Sequence, residues 1–188
     1  METFAGPREF TTDPGFPEAR EKALSTLERA LIDAPILDLI LGFTRIPHCF
    51  TIQSCYGHFV HPGQPDPSSV DPLPPAGAGR VRYRIAYLAV CIENSAEGER
   101  LREGLRAVTA IDGQYVQFGS PGWFRETHPN SYALQVEPER FAREDEAAVP
   151  YEEALYIQGV RDEFFRRIGE VAAGEAARRT RGGHADRR

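Results

Sequence analysis

His48-Cys49-Phe50-Thr51-Ile52-Gln53-Ser54-Cys55-Tyr56-Gly57-His58-Phe59-Val60-His61 holds two of the three cysteines and three of the five histidines of this 188-residue chain. Phe50, Thr51 and Ile52 are aromatic or β-branched and suit a pleated surface, so the first half reads as a strand. Ser54 to His58 then collects a hydroxyl, a thiol, a phenol, a glycine and an imidazole. Gly57 has no Cβ, so the chain can turn there with positive φ and its amide can approach a ligand closely. The stretch is therefore expected to be a strand entering a tight turn, with Ser54, Tyr56 and His58 near one concave surface.

Working outward, the preceding segment reads as two helices. Pro17 suits a first helical position, and Leu24, Leu27 and Leu31 recur at helical spacing as a buried stripe. Pro35 starts the second helix, with Ile36, Leu37, Ile40 and Leu41 inward and Gly42 as its stop. Residues 1–16 show no apolar periodicity and read as an irregular arm. On the other side of the motif, residues 62–79 hold six prolines and three glycines. A loop of that length is either a lid over the motif or a disordered connection.

Arg80 to Ile92 reads as one strand, alternating at first and continuously apolar from Ile85, so its second half should be covered on both faces. Asn94 or Ser95 caps a helix with Leu101, Leu105 and Val108 inward, which Gly98 and Gly104 weaken. Asp112-Gly113 and Gly119-Ser120-Pro121-Gly122 are turn signals around a strand at 114–118, and a further strand runs over 132–136. The second turn presents Trp123, which either stacks on a flat ligand or packs in the core. After an acidic connection at 137–149, Ile157, Val160, Phe164, Ile168 and Val171 mark the buried face of a long last helix. The order predicts one α+β domain over residues 17–176, a mixed sheet with helices packed on it and one parallel crossover.

Hydrophobic residues make up 41% of the chain and charged residues 27%, ordinary values for a globular protein. With no long apolar run and no apolar leader, neither a membrane span nor a signal peptide is expected. Three cysteines cannot all pair in one chain, which favours a cytoplasmic setting. Five arginines against Asp186 make residues 177–188 a basic, disordered-type tail, so the body is more acidic than the net charge of −6. Such a body repels phosphate backbones, and any tRNA binding should be weak and sensitive to salt.

Three kinds of chemistry suit the motif. Cys55 and His58 are close enough across a turn for a thiolate–imidazolium pair, the basis of a Cys/His thiol enzyme. His48, Cys49, Cys55, His58 and His61 are competent zinc ligands. Along a regular strand, however, Cys49 and Cys55 face one way and His48 the other, and no second ligand pair has zinc-finger spacing, so no metal site is expected. The third possibility is a turn that cradles a carboxylate or ribose on free backbone amides. No dinucleotide, phosphate-loop or nucleophile-elbow motif accompanies it.

Ile36-Leu37-Asp38-Leu39-Ile40-Leu41, followed by Phe50-Thr51-Ile52-Gln53-Ser54-Cys55-Tyr56-Gly57-His58-Phe59, resembles the tRNA wybutosine-synthesising family that methylates a tricyclic guanosine derivative. Its members join an apolar helix to a Thr-rich strand entering Ser-Ser-Cys-Ser-Gly-Arg-Ile. Ser54, Cys55 and Gly57 coincide with that motif, and Thr51 lies in the Thr-rich approach. Gln53, Tyr56 and His58-Phe59 depart from it, and the resemblance is limited to about residues 36–59. It implies an α/β arrangement of the same general kind, S-adenosylmethionine as cofactor and methyl transfer to nitrogen. The candidate catalytic residues are then Ser54, Cys55 and His58. The candidate cofactor-binding residues are Gln53, Tyr56, Gly57 and Trp123, for a nucleoside or another small flat substrate. A non-catalytic small-molecule-binding module that keeps the fold is the alternative.

Overall fold

The computed structural model describes residues 6–141 and 146–185, with side chains described to residue 178. The expected α+β class holds. Helices α1 (Phe16–Ser25) and α2 (Leu37–Phe43) precede strand β1 (Cys49–Cys55) and the short β2 (His58–Val60). Strands β3 (Arg80–Arg84) and β4 (Ala86–Ile92) lead to helix α3 (Ala96–Arg106) and strand β5 (Val116–Gly119). The one-turn helix α4 (Gly122–Arg125), strands β6 (Ser131–Val136) and β7 (Glu146–Pro150), and the long helix α5 (Tyr151–Ala185) complete the chain.

The strands form two sheets, β1-β4-β6-β5 and β2-β3-β7, and every pairing among the described residues is antiparallel. The sheet is therefore not mixed. The α3 crossover does carry the chain from β4 to the parallel-running β5, but β6 returns between them and takes both hydrogen-bonding edges. Arg80 to Ile92 is likewise not one strand: it changes sheet at Ile85, where the alternating exposed arginines give way to the buried run. The Tyr83 hydroxyl secures that corner by accepting from the Ala86 amide and donating to the Val136 carbonyl, each at 2.9 Å. Strand β7 falls within the stretch expected as an acidic connection; its Ala147 and Val149 are buried beside β3. Residues 142–145 of that stretch lie outside the described residues.

Helices α2, α3 and α5 cover one face of the larger sheet, with Ile40, Phe43, Leu101, Leu105, Ile157, Phe164 and Ile168 in the main core. Ser95 caps α3 by accepting from the Gly98 amide at 3.1 Å. Gly98 does more than weaken that helix: a Cβ there would stand 2.0 Å from the Glu93 carbonyl oxygen. Helix α1 packs on the opposite face, where Phe16, Phe50 and Cys91 form a small separate core. It ends at Ser25, so Leu24 and Leu27 are only half-buried and Leu31 is 78% exposed. The expected leucine stripe is replaced by Phe16 with Ala19 and Ala23.

The arm is irregular but docked. The Arg8 amide donates to Ser120 Oγ, the Arg8 carbonyl accepts from the Tyr132 hydroxyl, and Thr11 exchanges hydrogen bonds with Asn130. Residues 1–5 lie outside the described residues. Helix α5 continues to Ala185, past the expected end of the domain at residue 176, and residues 186–188 lie outside the described residues.

Candidate functional site

The motif forms the expected strand and turn, and Gly57 takes φ +88°. Its register holds one device that the residue pattern did not announce. A β-bulge at Ile52 lets Thr51 oppose Val90 and Gln53 oppose Ala89, so one residue of β1 has no partner. Directly opposed residues share a face, and Cys49 and Cys55 oppose Ile92 and Tyr87. Those two partners lie an odd number of positions apart, so the bulge puts the two cysteines on opposite faces. The expectation that they face one way fails for that reason.

Cys55 and His58 do come together, and Asp33 joins them, which the spacing of the motif could not show. Helices α1 and α2 lie on opposite faces of the sheet, so the linker between them wraps the edge strand β1 and delivers Asp33 to its end. The Cys55 sulfur and one donor atom each from Asp33 and His58 lie within 4.8 Å of one another. Asp33 Oδ2 stands 3.5 Å from His58 Nε2 and accepts from the Tyr56 amide at 2.7 Å. His58 Nδ1 lies 3.0 Å from the Ser69 carbonyl oxygen.

Residues 62–79 therefore close over the motif instead of hanging free. Leu73 is buried, its amide donates to Gln158, and the Pro74 carbonyl accepts from the Tyr151 hydroxyl.

The setting of Cys55 does not suit a nucleophile. Burial pushes its thiol above the ordinary range, and this outweighs the lowering by the Gly57 amide that donates to the sulfur. The Asp33 carboxylate raises it further by charge and by accepting the thiol proton. A protonated, covered thiol lacks the thiolate that such chemistry requires.

The four candidate cofactor-binding residues separate into two pairs. Gln53 and Trp123 line one cavity of about 320 Å³ on the larger sheet, together with Arg84, Tyr87, Phe124, Gln135 and Glu137. Trp123 is 45% exposed there and so is not a core residue. Gln135 donates to the Glu137 carboxylate at 2.7 Å and to Gln117 Oε1 at 3.3 Å, which orients the polar side of the cavity. Since Tyr87 is directly opposite Cys55, the Asp33–Cys55–His58 cluster adjoins this cavity.

Tyr56 and Gly57 are committed elsewhere. Tyr56 stacks on Phe165, and its hydroxyl donates to Asp162 at 2.9 Å. Buried Arg161 lies 3.9 Å from the centre of the Tyr56 ring and donates to the Gly57 carbonyl at 3.1 Å. A Cβ on Gly57 would meet Ala86 Cβ at 2.8 Å, so the glycine serves close packing, and its amide is taken by Cys55. It does not offer the free amide expected of it.

His48 and His61 also leave the cluster. His48 lies 3.6 Å from Glu175, and His61 packs against Tyr151. Ser54 opposes Leu88 and is half-buried. A wider groove of about 910 Å³ runs between α3 and α5, but its rim is made of arginines and glutamates that pair with one another, such as Arg167 with Glu163. That is the character of a solvated surface.

The chain matches no family model and no curated protein. Among solved structures it is similar to the PH1069 protein from Pyrococcus horikoshii, at 15% identity and a TM-score of 0.50, covering 87% of this chain and 95% of that one. It is also similar to a hypothetical protein from Aeropyrum pernix, at 11% identity and a TM-score of 0.42, covering 75% of this chain and 98% of that one. At such identities the likeness to PH1069 concerns the fold alone.

Proposed function

We propose that this protein is a methyltransferase that uses S-adenosylmethionine on a nucleoside or another small flat substrate held in the Gln53–Trp123 cavity. The observation that carries this reading is the composition of that cavity. Exposed Trp123, with Phe124 and Tyr87, offers ring faces, while Gln53, Gln135 and Glu137 supply hydrogen-bonding groups. Flat heterocycles are held in this way, by stacking on aromatic faces and by polar groups along the ring edge. Arg84 at the margin would suit a carboxylate or phosphate attached to the ring system.

The resemblance of residues 36–59 to the wybutosine-synthesising family supplies the reaction class, and Gln53 of that stretch lines the cavity. Transfer forms a nitrogen–carbon bond as the carbon–sulfur bond of the sulfonium breaks, leaving a neutral thioether. The nitrogen's proton then leaves to water, because the Glu137 carboxylate is fully buried and already accepts from Gln135. Cys55 and His58 act beside the cavity and not as nucleophile and base. No helix among the described residues is long and apolar enough to cross a membrane. All three cysteines are free and buried, which fits the cytoplasm as the working compartment.

The test uses the single tryptophan of the chain as a reporter. S-adenosylmethionine and S-adenosylhomocysteine are titrated while Trp123 fluorescence is followed, and calorimetry runs in parallel. Labelled methyl transfer to nucleosides and to bulk tRNA is then measured. Saturable quenching with transfer supports the proposal. Quenching by nucleosides without transfer moves the assignment to a binding module. Neither heat nor quenching at millimolar ligand ends it.

A further inference from the structure

We infer that Asp33, Cys55 and His58 form a binding site for one zinc-class divalent cation, with a fourth position left for water or a ligand. This inference does not depend on the methyltransferase reading. It rests on the three donor atoms, on what holds each of them, and on charge.

The donor set is one carboxylate oxygen, one thiol sulfur and one imidazole nitrogen, a combination suited to a borderline-soft ion such as Zn²⁺. All three atoms lie within 4.8 Å of one another, and the Asp33–His58 separation is 3.5 Å. Bonds of about 2.0–2.3 Å to a tetrahedral ion place ligand atoms roughly 3.4–3.8 Å apart. The carboxylate–imidazole edge already has about that length, and the sulfur, within 4.8 Å of both other donors, would draw closer on binding.

Each ligand also has the kind of outer partner that metal ligands need. The Ser69 carbonyl oxygen, 3.0 Å from His58 Nδ1, accepts its N–H, so Nε2, 3.5 Å from Asp33, is the nitrogen that would bind the ion once unprotonated. The Tyr56 amide fixes Asp33 Oδ2 at 2.7 Å. The Gly57 amide donates to the Cys55 sulfur. The side chain of His58 is 6% exposed and that of Asp33 23%, so solvent reaches the cluster mainly at Asp33.

Binding would release the thiol proton to solvent, and a carboxylate, a thiolate and a neutral imidazole together balance the dication. A neutral assembly is what a largely covered site can tolerate. The ion would join the α1–α2 linker, the end of β1 and the start of β2. The Ser69 contact would extend that clamp to the 62–79 loop.

The test is cobalt substitution in EDTA-treated, untagged full-length protein. Co²⁺ should bind one per chain, with the intense visible bands of a tetrahedral site and a near-ultraviolet thiolate-to-cobalt charge-transfer band. Zn²⁺ should displace it. Cys55→Ser should abolish the charge-transfer band, whereas Cys49→Ser and Cys91→Ser should keep it. Asp33→Asn and His58→Ala should each weaken binding by more than about 100-fold, beyond the loss expected from removing only a supporting partner. Asp33→Asn changes a partly exposed carboxyl, so it keeps the test decisive if Cys55→Ser does not fold. The inference is overturned by folded protein that takes up no cobalt, by a charge-transfer band that survives Cys55→Ser, or by unchanged affinity in Asp33→Asn.

Discussion

The guanidinium of Arg161 lies 3.9 Å from the centre of the Tyr56 ring and donates to the carbonyl of Gly57, so one buried cation on α5 braces the whole turn of the motif. Its Nη2 also meets Asp162 at 2.9 Å, and the same carboxylate receives the Tyr56 hydroxyl. A charge-assisted hydrogen bond contributes about 2 kcal/mol and a desolvated cation–π contact about as much. Arg161→Ala should therefore lower unfolding free energy by about 3–4 kcal/mol in urea titrations. Arg161→Lys should recover only part of this, because an ammonium cannot reproduce the flat stacked fork. Equal stability of Arg161→Ala and wild type would remove this brace from the account of the fold.

The cavity makes a second prediction that is separate from folding. Trp123 and Gln53 are exposed, and neither belongs to a core cluster among the described residues. Trp123→Ala and Gln53→Ala should leave the thermal midpoint within about 2 °C of wild type, as surface changes of small free energy do. Each should weaken binding of the flat ligand by about 10-fold, the value of one stacking or hydrogen-bond contact. Calorimetry with the best ligand from the fluorescence titration decides this. Undiminished affinity in both variants would place the ligand elsewhere.

Thiol reactivity separates a covered ligand cysteine from a nucleophile. Burial pushes Cys91 up to about 12 and raises Cys55 as well, with the Asp33 carboxylate adding to the rise at Cys55. In metal-free folded protein at pH 7, iodoacetamide should modify Cys55 about as slowly as Cys91, by residue-resolved mass spectrometry. His58→Ala should change little. Fast, His58-dependent alkylation of Cys55 would restore the thiol-enzyme reading.

Acid sensitivity should arise in part at His48. Burial lowers its pKa below the usual histidine value, and this exceeds the opposing pull of Glu175, 3.6 Å away, and of Glu97 and Glu93. The folded protein thus keeps His48 neutral while the unfolded chain protonates it. That contribution to stability is complete above about pH 6.5 and is lost as pH falls through 6.5 toward the depressed native value. His128, lowered chiefly by burial, adds in the same direction. Urea midpoints should drop between pH 7 and pH 5, and His48→Gln should shrink that drop. An identical drop in the variant would assign the acid sensitivity to other groups.

Much of the secondary structure was legible in the residues because its causes are local. The alternation and apolar run around Ile85, the Ser95 cap, the inward Leu101 and Leu105, and the Ile157–Ile168 stripe all act within a few positions of one another. The strand and glycine turn of the motif are of the same kind. Tertiary structure decided the rest. Whether β4 and β5 pair directly depends on where β6 returns, and the sheet change at Ile85 depends on partners far along the chain. The bulge at Ile52 turned Cys55 away from the face of Cys49, a matter of register against β4 that no spacing within β1 reveals. Asp33 reached Cys55 and His58 because its linker crosses the edge of β1, and Gln53 met Trp123 and Glu137 only across three strands. The short-range pattern determined which groups were available for chemistry. Long-range register determined which of them could act together.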